Sequence, residues 1–216
     1  MPEPSSPMPE PAAHTTPSPA DKASGTDALS EAILPVVLHE LANVTQNLTG
    51  LHSILAMDGG AELFAQRQGD LVRSGQLAED LGWAMAVLGS ACGENLLLTR
   101  REPRGLSILF KLVQKACRRE GLDVQPCPPD LPHLAPGCLD GWQLPWTLAS
   151  LLLQATRDGG GDWSLTAHGG RWIFSWCAHP STGSTAAHLV EQLPGAEFTP
   201  AGEGRVRLAL PGDWLR

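Results

Sequence analysis

An apolar stripe in the first third of the chain constrains its fold more than any other feature. Ile33, Val37, Leu41, Val44, Leu48, Leu51 and Leu55 follow one another at intervals of 4, 4, 3, 4, 3 and 4 residues. An α-helix brings such positions onto one face, and that face must be covered by another element. Asp27 or Ser30 supplies a helix cap, with Pro35 favouring the later start or marking a kink. Gly59-Gly60 ends the stripe. A second helical stretch runs from Ala61 to Thr99, with Phe64, Leu71, Leu77, Leu81, Met85, Leu88, Cys92 and Leu96 on a broad face. Two long helices joined by a short glycine turn predict an antiparallel hairpin. A lone hairpin would forgo about 1.5–3 kcal/mol for each large side chain left in water. A second copy completing a four-helix bundle is the simplest cover, so a homodimer is expected.

The hairpin occupies residues 28–103. Residues 1–27 are rich in Pro, Ser, Ala and Thr with almost no large apolar side chains. They cannot bury enough surface to offset their ordering entropy, and a disordered tail is expected there. Residues 104–216 have a different character. "LSILFKLVQKACRREG" reads as a helix ending at Gly121, followed by a short strand near Leu122–Gln125. "GWQLPWTLASLLLQATRDGGG" is a further helix, and "WSLTAHGGRWIFSWCA" alternates around a Gly-Gly turn as a hairpin does. A last helix in "STAAHLVEQLPG" and a last strand in "RVRLALP" complete an α+β unit. Trp142, Trp146, Trp163, Trp172 and Trp176 fall in this half and read as core packing.

Composition narrows the function classes. A hydrophobic content of 42% and a charged content of 18% suit a packed core. The net charge of −8 opposes non-specific nucleic-acid binding, which needs Lys and Arg to neutralise phosphates. The cysteines, at 92, 117, 127, 138 and 177, form no CxxC pair and predict neither a disulfide framework nor a zinc knuckle. The N-terminus lacks a signal-peptide pattern, and no apolar run reaches the ~18 residues that a membrane span needs. The expectation is a cytoplasmic protein with no membrane and no nucleic-acid partner. The glycosylation patterns at Asn43-Val44-Thr45 and Asn47-Leu48-Thr49 then carry no role.

His39 lies within the helical stripe region but off its apolar face, on a polar track with Asn43, Gln46 and Asn47. The His-Glu pair at 39–40 invites a zinc reading, yet that motif needs a second His at i+4, where Asn43 stands. No GxSxG occurs, and no cysteine has an evident His partner. On geometry alone, a surface His without function and a functional one remain open.

"HELAN" at 39–43 after an apolar helix resembles the H-box of bacterial sensor histidine kinases, in which a His on the first helix of a dimeric four-helix bundle accepts a phosphoryl group. His39, Glu40 and Asn43 match position by position, while Val44 stands where the family commonly has Pro. The resemblance implies His39 as nucleophile and phosphoryl carrier. It implies Glu40 as the hydrogen-bond acceptor that fixes the ring tautomer, and Asn43 as a group able to orient a water for dephosphorylation.

The second half is similar to the kinase ATPase domain, with its nucleotide site eroded. Gln154 occupies the metal-binding Asn position of "LLLQATRDGG". "IFSWCAHPSTGS" lacks the adenine-reading Asp, the Gly-rich loop is reduced to Gly183, and no length remains for a lid. This combination resembles the dimeric histidine phosphotransferases of bacterial two-component phosphorelays. It implies an α+β fold: a long antiparallel helical hairpin forming a dimeric four-helix bundle, then a degenerate ATPase-like α/β sandwich. The implied partners are response-regulator receiver domains, which would bring their own Mg2+; no cofactor and no metal site of this chain is expected. The other reading is a non-catalytic kinase-like dimer that regulates or dephosphorylates a response regulator.

Overall fold

The computed structural model describes residues 19–93, 106–127, 131, 132, 135, 142–158, 162–177, 187, 189–191, 193–200 and 204–215. Helix α1 spans Pro19–Leu55 and α2 spans Gly60–Ala91, packed against each other as the expected hairpin. α1 starts upstream of both expected caps, and Pro35 lies inside it with its ring exposed. The missing Pro35 N–H costs one helical hydrogen bond without ending the helix. Gly59, at φ 75°, turns the chain in the left-handed region, and the Gly60 N–H donates to the Met57 carbonyl at 2.9 Å. A Cβ on Gly60 would press on the Ile54 carbonyl oxygen. α2 stops at Ala91, short of the expected Thr99. The Cys92 N–H returns to the Leu88 and Gly89 carbonyls, and Gly93 follows at φ 87°. Cys92 is exposed, and Leu96 lies outside the described residues.

Helix α3 (Leu106–Arg119) and helix α4 (Gln143–Arg157) pack on each other and on the hairpin. Gly121 ends the α3 segment at φ 78°. β1 (Trp163–His168) and β2 (Arg171–Cys177) form the expected antiparallel hairpin, turned by Gly169 and Gly170 at φ 58° and 75°. Positive φ at both central positions matches the twist of the flanking strands. β3 (Glu197–Pro200) and β4 (Arg205–Pro211) complete a four-stranded antiparallel sheet in the order β1-β2-β4-β3. Residues 187 and 189–191 are helical, within the expected last helix. The chain is thus α+β.

The strand expected near Leu122–Gln125 does not form; residues 122–127 make no ladder. Pro126 has no N–H to give, and the Gln125 carbonyl accepts from the Gln114 side-chain amide at 2.6 Å. The Gln125 side chain instead accepts the Trp163 N–H at 3.3 Å, capping the start of β1.

One buried cluster runs from Leu29, Ile33, Val37 and Val44 of α1 through Leu81 and Val87 of α2 to α3, α4 and the sheet. Trp146, Trp163 and Trp176 are buried in it, and Trp142 and Trp172 pack on its edge. Phe110 meets Trp163 edge-on at a ring-centre distance of 5.2 Å, and Phe174 lies 5.1 Å from Trp176. The cluster ends at Val44, however. Beyond it the hairpin stands clear of the other layers, and Leu48, Leu55, Met57, Leu63, Leu71 and Val72 are exposed. The expected stripe is therefore covered only in part. Leu51 stays buried, but Leu48 and Leu55 lie beyond Val44, where the core cluster no longer reaches the helix. They join a second line, Leu34, Leu41, Leu48 and Leu55, spaced at intervals of seven positions. Three of these four are exposed and Leu41 is half-buried. Among the described residues, no helix is long and apolar enough to cross a membrane.

Candidate functional site

His39 sits in the middle of α1, five residues before the core cluster gives out at Val44. An uninterrupted helix with apolar neighbours at Val36 and Val37 buried on one side holds its backbone rigid. Its side chain is exposed, and among the described residues it makes no hydrogen bond. At about 100° per residue, the Leu34–Leu41–Leu48–Leu55 line lies roughly 140–180° around the helix from it. A partner covering that line would leave the His39 ring open to solvent.

Glu40 is placed differently from the expectation of a carboxylate committed to the imidazole. Its Oε1 accepts from Lys115 Nζ of α3 at 2.7 Å, and its side chain is only 13% exposed. The second carboxylate oxygen remains for another donor. Asn43, one turn on from His39, is half-buried, and Gln46 and Asn47 continue the polar track in solvent. The sequon hydroxyls are used within the helix, Thr45 donating to the Leu41 carbonyl and Thr49 to the Thr45 carbonyl, both at 2.9 Å, and Ser53 continues the series to the Thr49 carbonyl at 3.0 Å. Such back-bonding satisfies a hydroxyl on an exposed helix face without any partner.

The helix thus brings together an accessible imidazole, an oriented carboxylate and a carboxamide within about one turn. An imidazole nitrogen without a proton is a nucleophile at neutral pH, and a carboxylate near the other nitrogen would fix the tautomer. Lys115 escaped the sequence reading. It lies on an exposed basic face with Lys111, Arg118 and Arg119, and nothing local links it to a residue 75 positions earlier.

The half expected to carry an eroded nucleotide site is described only in part. Gln154 is half-buried in α4, and residues 178–186, including Gly183, lie outside the described residues. A cavity of about 490 Å³ opens between the 122–126 segment and the end of α4, with Thr156 and Asp162 in its walls. It includes no residue of α1 among the described residues. Arg205 pairs with Asp162 at this end of the sheet. Among the described residues, no three His, Cys, Asp or Glu side chains gather as a metal site.

Burial pushes the Cys117 thiol above its ordinary value, aided by the nearby Glu120 charge, so this cysteine is a packing residue. No known protein family matches the chain, and no curated protein matches it.

Proposed function

We propose that this chain is a histidine phosphotransferase of a bacterial two-component phosphorelay, carrying a phosphoryl group on His39 between receiver-domain aspartates. The observation that carries the reading is the setting of His39. It is exposed on a rigid helix, with Glu40 and Asn43 within a turn and an uncovered leucine line facing the other way. The unprotonated ring nitrogen attacks the phosphorus of an aspartyl phosphate. The N–P bond forms as the P–O bond to the aspartate breaks, and the aspartate leaves as a carboxylate. The proton on the other ring nitrogen stays in place, held toward the Glu40 carboxylate, which offsets the positive charge of the phosphorylated ring. A second receiver carboxylate reverses the step, and the imidazole leaves neutral. Phosphoryl transfer of this kind demands positioning and charge neutralisation more than covalent machinery.

The same reading assigns the leucine line to a second copy, giving a homodimeric four-helix bundle with a His39 on each outer face. Receiver domains dock over the polar track and bring their own Mg2+. The departures at Gln154 and Gly183 support a C-terminal half that does not bind ATP.

The test uses receiver domains carrying ³²P on their acceptor aspartate. Label should move onto this chain and be lost in His39→Ala. Label that instead vanishes as inorganic phosphate, and is retained in Asn43→Ala, supports a phosphatase. Receiver binding that survives His39→Ala with no phosphoryl chemistry leaves only the regulator.

A further inference from the structure

The Lys115–Glu40 pair joins two parts of the chain that the phosphohistidine chemistry would not otherwise connect. Glu40 comes from the hairpin, and Lys115 comes from α3 in the C-terminal half. A glutamate on a helix surface ordinarily samples several rotamers. Here a charge-assisted bond of 2.7 Å holds one oxygen, and little of the side chain is left to water. A held carboxylate presents its second oxygen in a restricted set of directions, and the adjacent residue is His39.

We infer that Lys115 is a positioning residue for His39: by fixing Oε1 of Glu40, it leaves Oε2 free to accept the His39 ring N–H when the imidazole turns toward it. This deepens the phosphotransfer reading and rests on it. The intrinsic reactivity of the imidazole then depends on a side chain contributed by α3. That gives the C-terminal half a part in the chemistry besides support. It also accounts for a lysine lying over the hairpin at this turn, where an apolar side chain would clamp the helices equally well.

Phosphoramidate tests this without any partner protein. The unprotonated imidazole nitrogen displaces ammonia, which leaves with the P–N electron pair as the new N–P bond forms. His52, exposed on the same helix, serves as an internal reference. Mass spectrometry of the labelled full-length chain gives the ratio of phosphorylation at His39 to that at His52. The ratio should exceed one in the parent protein. It should fall about three- to tenfold in Lys115→Met and in Lys115→Gln, as expected for loss of a directly coupled group. It should return in Lys115→Arg. In a Glu40→Gln background, Lys115→Met should change nothing further.

A parent ratio of one overturns the inference, as does a ratio unmoved by the Lys115 substitutions. A drop that persists in the Glu40→Gln background makes Lys115 a mere clamp and overturns it too. Lys115 is about half exposed, so two independent substitutions that leave the circular dichroism unchanged keep the outcome interpretable. Failure of phosphorylated receivers to label His39 would defeat the phosphotransfer reading, whereas a flat phosphoramidate ratio defeats the role of Lys115 alone.

Discussion

Leu38→Ala should weaken self-association while leaving the protomer folded. Leu38 is 57% exposed, the largest fraction among the α1 leucines, and it sits beside the Leu34–Leu41–Leu48–Leu55 line. Full burial of a leucine is worth about 1.5–3 kcal/mol, so covering the part still exposed would yield roughly 1–1.5 kcal/mol. A two-fold interface contains the residue twice, which makes roughly 2–3 kcal/mol per dimer. Dimerisation should therefore weaken about 30- to 150-fold. The substitution removes little that the isolated protomer buries, so its far-UV circular dichroism should match the parent. Sedimentation velocity over a dilution series measures the change directly. Gln46→Ala, on the opposite polar track, is the control and should leave the constant unaltered. A parent protein that stays monomeric at its highest soluble concentration, or a Leu38→Ala protein that associates equally well, refutes the assignment of this face to a second copy.

Gly60→Ala should destabilise the hairpin by more than about 2 kcal/mol in urea denaturation, because the added Cβ meets the Ile54 backbone oxygen instead of a flexible side chain. An unchanged midpoint would show that the turn relaxes freely. Arg157 donates to Glu120 at 3.0 and 2.5 Å and holds its carboxyl below the ordinary 4.5. Since the folded value lies below the unfolded one, the pair stabilises above about pH 4.5 and loses that contribution as the pH falls through the lowered value. Both side chains are more than a third exposed, so the contribution stays under about 1 kcal/mol. Arg157→Gln should raise the Glu120 titration seen by NMR and narrow the stability difference from the parent at acid pH; an unmoved titration contradicts the pairing. Mg-ATP should leave the thermal midpoint where it is, since only a ligand that binds the native state shifts it. A concentration-dependent rise would restore the nucleotide site.

Local pattern alone specified much of this protein. The period of Ile33, Val37, Leu41 and Val44 required a helix, and Gly59-Gly60 required its reversal, because only left-handed backbone turns the chain so tightly there. The alternation around Gly169-Gly170 specified a hairpin for the same kind of reason. His39, Glu40 and Asn43 were visible as a group because four residues make about one helical turn, which is a local relation. Other features depend on contacts between distant segments, and no local pattern encodes those. The placing of β4 between β2 and β3 is one, and the failure of residues 122–127 to pair is another, since Gln114 takes the Gln125 carbonyl and the Gln125 side chain takes the Trp163 N–H. Where the core stops is a third: the buried cluster takes in the hairpin's first helix only as far as Val44, which leaves Leu48 and Leu55 of the apolar stripe as open surface. The fourth is the hold of Lys115 on Glu40. The sequence determined that a carboxylate follows the histidine, but only the tertiary fold decided what that carboxylate touches, because a charge pair across 75 residues exists only once two helices have packed.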